Sequence, residues 1–151
     1  VPRRLKILVV LIMTLLIGGC MLPRMFVAAF IPFQRLMIWS AAAAARYGAP
    51  LVMLLVDASP EADPKLVPGD IVEPYLMDEL ATPEMLAQRE DLVKVYIFKG
   101  ERLSEERYRK ILLDTTLNGQ TLCAMPLASE DVPRIKETLA RIGVELEEGE
   151  L

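Results

Sequence analysis

Protein chemistry needs groups that ionise, attack or ligate, and this chain carries a restricted set of them. Among its 151 residues there is no histidine, and the only two cysteines are Cys20 and Cys123. Without imidazole no His-based triad can be built, and the commonest general base and metal ligand are both missing. Carboxylates, lysines and the two thiols remain. Asp57, Glu61 and Asp63 cluster after an apolar run, and oxygen ligands in a loop suit Ca²⁺ or Mg²⁺. Their spacing matches no binding loop, so no metal is expected. Cys123 sits in the apolar run Gln120–Leu127, where burial keeps a thiol protonated and unreactive, and packing is its expected role. Lys99-Gly100 and Asn118-Gly119 are isolated turns without the glycine-rich surroundings of a phosphate loop. Nothing assembles an acid, a base and an oriented nucleophile. The expectation is a protein that is not an enzyme, with no catalytic residue and no cofactor.

The charges are segregated. Residues 1–56 hold Arg3, Arg4, Lys6, Arg24, Arg35 and Arg46 and no acid, a charge of +6, whereas residues 57–151 hold all 21 acids and a net charge of −10. The whole-chain value of −4 hides this division. An acidic domain repels a phosphate backbone, which argues against a nucleic-acid partner.

The basic third is also the apolar third. Leu5–Leu22 carries one cation near its start and none after it. As a helix it covers about 27 Å, close to the thickness of a bilayer's hydrocarbon core. Residues 1–24 therefore read as a transmembrane anchor or a signal segment, with Arg3, Arg4 and Lys6 holding the N-terminus in the cytoplasm. Ile17-Gly18-Gly19-Cys20 resembles the lipobox of bacterial lipoproteins, with Ile where Leu is usual, and implies lipidation at Cys20. The chain stays apolar after Cys20, where lipoproteins turn polar, so an uncleaved anchor is the favoured reading.

Residues 25–50 read as a second apolar or amphipathic helix. Arg24, Arg35 and Arg46 are eleven residues apart, and on a continuous helix that spacing returns to within about 20° of the same direction. The three arginines, with Trp39 nearby, are the expected contacts to a partner or to lipid. A second span with snorkelling arginines is the alternative. The run Ala41–Ala45 suits close helix approach in lipid and high helix propensity alike.

The elements after residue 50 must then form the soluble part, an acidic α/β domain over 51–151. Leu51–Val56 fits either a buried strand or the tail of the membrane segment. Prolines at 60, 64, 68 and 74 leave room only for a short strand near Asp70–Val72. Thr82-Pro83-Glu84 starts a helix. Leu92–Phe98 alternates as a strand, Ser104 caps a helix, Gln120–Leu127 is a strand covered on both faces, and a helix follows Pro133 up to Gly143. With a last strand at Val144–Leu146, the final sixty residues read β-α-β-α-β, a small α/β sandwich. Leu66–Ile71 and Ile97–Leu103 resemble the paired hydrophobic–Gly–hydrophobic elements of SAF domains. Their spacing is shorter than that family's and the helices have no place in it, so the sandwich is retained.

The expected whole is a membrane-anchored α/β protein with one or two N-terminal apolar helices. Its expected role is a non-catalytic accessory subunit of a multi-subunit membrane complex, partnered by larger membrane subunits and lipid. The alternative is a bacterial envelope lipoprotein or anchored assembly factor that binds a protein outside the cytoplasm. A single span places the domain on the extracytoplasmic side of a bacterial-type cell membrane.

Overall fold

A computed structural model describes residues 33–58 and 75–149, together with Ile7, Val10 and residues 12–14. It divides into two compact units, one up to Gln34 and one from Arg35 onward. In the first unit the described residues 7, 10 and 12–14 are helical, and Thr14 donates its hydroxyl to the carbonyl of Val10 at 2.8 Å. Among the described residues no helix is long and apolar enough to cross a membrane. Most of Leu5–Leu22, with Cys20 and Arg24, lies outside the described residues, as do Glu61, Asp63 and the expected strand at Asp70–Val72.

The second unit is a small α/β domain. Its elements run from helix α1 (33–47) through β1 (Leu51–Ala58), β2 (Tyr75–Leu76), α2 (Pro83–Ala87), β3 (Leu92–Lys99) and α3 (Glu105–Leu117). Then come β4 (Gln120–Leu127), a 3-10 turn at Ser129–Asp131, α4 (Val132–Ile142) and β5 (Glu145–Glu148). The expected β-α-β-α-β order of the last sixty residues is present. Five strands form one sheet in the order β2-β4-β1-β3-β5. β1 lies at its centre, antiparallel to both neighbours, while β2 pairs parallel with β4 and β5 parallel with β3. Leu51–Val56 is thus a strand, and its unbroken apolar character follows from cover on both faces.

The two faces fill by alternation along β1. Leu51, Met53 and Leu55 point into a core shared with Leu86 of α2 and with Ile135 and Leu139 of α4. Val52, Leu54 and Val56 point the other way, toward Leu36 and Trp39 of α1 and toward Tyr108, Ile111 and Leu112 of α3. A register shift opposite Val56 and Asp57 makes Val93 the extra residue of β3. That bulge turns Leu92 into the first core and leaves Val93 41% exposed.

Local chemistry sets the boundaries. The Thr82 side chain accepts from the Met85 N–H and the Ser104 side chain from the Arg107 N–H, each at 3.2 Å. Gly143, at φ +75°, ends α4 in the left-handed conformation that glycine adopts without a Cβ clash. Pro126 sits within β4 yet costs the ladder with β1 nothing. Its carbonyl accepts from Ala81 at 2.9 Å on the outer side, where β2 has already stopped, so the missing N–H falls on that side too.

Candidate functional site

Helix α1 and residues Leu51–Val56 of β1 are the parts of the domain that lie in the apolar third of the sequence. Leu36, Trp39 and Ala43 recur at helical spacing and are 1%, 7% and 5% exposed, so this side is spent on the sheet. Trp39, read from sequence as a partner or lipid contact, has its ring in the core. Its indole Nε1–H donates to the carbonyl of Met77 at 3.2 Å, tying α1 to the chain just after β2. At the other margin Ser40 meets the turn after β3, where a Cβ on Gly100 would lie 2.6 Å from the Ser40 side chain. Glycine there lets α1 lie close across the end of the sheet.

The opposite side of α1 is apolar and uncovered. Ile38 is 69% exposed, and Met37, Ala41, Ala42 and Ala45 are exposed with it. Arg35 and Arg46, eleven residues apart, run along the border between the two sides, and both are exposed. The Arg46 guanidinium lies 5.4 Å from the Tyr47 ring centroid and 3.6 Å from the Asp78 carboxylate. The result is a small-residue surface with two larger apolar side chains, Met37 and Ile38, and a basic margin.

A second cluster escapes a reading by spacing. Asp57, at the end of β1, is buried, and its Oδ2 accepts from Arg89 at 2.9 Å. Its Oδ1 is also buried and has no hydrogen-bond partner. Burial raises the Asp57 pKa; Arg89 opposes the shift and Asp91 adds to it. On the neighbouring strand Cys123 is a buried free thiol, pushed up to about 11 by burial against the pull of Arg89 and with the push of Asp57. That thiol is protonated at neutral pH, and the carboxylate is committed to the guanidinium. The protonated thiol is not poised to attack. Asp57, as the acid that ends an apolar run, and Cys123, as a buried inert thiol, were visible in the sequence; Arg89 lies 32 residues from Asp57 and has no sequence signal of its own.

A shallow surface groove of about 300 Å³ lies between α2 and α4, lined by Glu84, Arg134, Glu137, Thr138 and Arg141 with Pro83 and Ala87. Arg134 is engaged there by Glu84 at 2.7 Å. Among the described residues no group of three His, Cys, Asp or Glu side chains is placed to hold a metal ion. No protein-family model, no curated protein and no solved structure matches the chain.

Proposed function

We propose that this protein is a non-catalytic accessory subunit of a multi-subunit membrane complex, anchored by its apolar residues 1–24 and docked through α1. One observation carries the reading: α1 spends a single side on its own sheet and leaves Met37, Ile38, Ala41, Ala42 and Ala45 uncovered. Small residues permit close approach of a second helix, and in lipid that packing is the main source of association. The division of charge supports it as well, because an apolar segment over residues 1–34 of charge +4, joined to a domain over residues 35–151 of charge −8, favours a fixed position at a boundary.

The test is gentle detergent extraction from native membranes, then native and intact mass spectrometry. The expected result is release with the same partner subunits at constant stoichiometry and with the N-terminus uncleaved. Replacing Ile38 and Ala41 together by Glu should abolish that association while leaving the folded domain's circular dichroism unchanged. Release as a single chain beginning at Cys20 and heavier by a lipid would sink this reading and establish the lipoprotein alternative.

A further inference from the structure

The edge of the sheet formed by β5 joins a four-residue backbone ladder on β3 to a set of surface ion pairs. β5 has four residues, of which three are glutamates, and each glutamate is in an ion pair. Lys94 on β3 reaches Glu145 at 2.8 Å and Glu147 at 3.2 Å. Arg107 on α3 reaches Glu147 at 2.8 Å, and Lys136 on α4 reaches Glu148 at 2.7 Å. The one apolar residue, Leu146, is only partly buried against the core and lies opposite Val95. Without β5 the outer edge of β3 would be a rail of three cations in a domain of net charge −8. Unpaired backbone groups along that edge would invite a new strand.

We propose that β5 is an exchangeable strand, and that the β3 edge with Lys94, Arg107 and Lys136 is an acceptor for the β5 of a second copy of this chain. Charge complementarity selects the occupant: the rail fits an extended segment with acids on both of its faces and one aliphatic residue, which is the pattern of β5 itself. Exchange remakes the same contacts in the partner, so the closed and exchanged forms differ little in those contacts. Gly143 and Val144 are the only residues between α4 and β5, and the glycine's freedom makes them a hinge. Release of the strand is then the slow step. Salt shortens it by screening the ion pairs, and it also screens the repulsion between two acidic domains.

The experiment uses two full-length populations in non-ionic detergent, each with Cys20 and Cys123 replaced by Ala. One carries Val95→Cys and the other Leu146→Cys, so a disulfide between them forms only if β5 of one copy lies on β3 of the other. A single chain carrying both substitutions must close on itself, which shows that the geometry permits the bond. The expected result is a covalent heterodimer that forms about tenfold faster near 1 M salt than near 0.05 M. Lys94→Gln in the acceptor copy should give a similar gain at low salt. If the doubly substituted chain closes but no heterodimer forms, strand exchange is overturned. A heterodimer whose rate ignores salt and equals that of global unfolding also overturns it, because release would not then be governed by the rail.

Discussion

Asp57 and Glu147 are both carboxylates with cationic partners, yet they should pull the pH dependence of stability in opposite directions. Asp57 has its pKa raised above 3.8 because burial outweighs the help of Arg89. The folded carboxyl therefore holds its proton more tightly than the unfolded one. Its contribution is fully present below pH 3.8 and is lost as pH rises through the folded value. Glu147 is pushed up by burial, but the hydrogen bonds and charges of Lys94 and Arg107 outweigh this and leave its pKa lowered from 4.5. Its contribution is present above pH 4.5 and is lost as pH falls through the lower folded value. Urea unfolding from pH 3 to 7 should separate the two. Asp57→Asn should remove a component that falls with rising pH, and Glu147→Gln one that rises. A sharper test is Arg89→Ala, which leaves a buried carboxylate without its cation. That variant should lose about 2–3 kcal/mol near pH 7 and clearly less near pH 4, where the carboxyl can take up a proton.

At the scale of the element, α1 is one helix with two unequal sides. Leu36→Ala opens a cavity at a residue 1% exposed and should cost about 2–4 kcal/mol, whereas Ile38→Ala, 69% exposed, should stay within about 0.5 kcal/mol. Gly100→Ala forces a methyl group against Ser40 and should cost about 1–3 kcal/mol, with thermal denaturation as the measurement. The same helix shows where reading the sequence succeeded and where it stopped. β3, α3, β4, α4 and β5 were legible because period and capping agreed: Leu92–Phe98 alternates, Ser104 precedes two acids, and Gly143 follows the last apolar turn. Residues 33–47 looked like membrane-facing chain because their exposed side is as apolar as their buried one, so the pattern gave no orientation. β2 was not foreseen, since two residues carry no period and its pairing with Cys123 and Ala124 is a tertiary event. The Val93 bulge was hidden for the same reason, and with it the turn that brings Leu92 into the core. The ion pairs on β5 lay beyond reach too, because Lys94, Arg107 and Lys136 converge on it from three different elements.

The domain from Arg35 onward hangs on β1, whose two neighbours come from much later in the chain. Leu54 is opposite Tyr96 on one side and Ala124 on the other, so the central strand cannot be paired until both later strands exist. One consequence concerns the extent of the cooperative unit. The compact unit begins at Arg35, and α1 covers the face of the sheet that carries Val52, Leu54 and Val56. A fragment starting at Leu51 keeps every described strand and the cover of α3 but exposes the part of that face that packs on Leu36 and Trp39. At about 25 cal/mol per Å² of apolar surface, uncovering it forfeits several kcal/mol out of the 5–15 kcal/mol typical of a domain. The Leu51–Leu151 fragment should therefore bind a hydrophobic dye and unfold in urea without a cooperative transition. A fragment running from Arg35 to Leu151 should bind little dye and unfold in one transition detected alike by circular dichroism and by Trp39 fluorescence. If the shorter fragment unfolds as cooperatively as the longer one, α1 is an appendage rather than a part of the core. Its buried Leu36 and Trp39 would then owe their burial to docking that the sheet does not need.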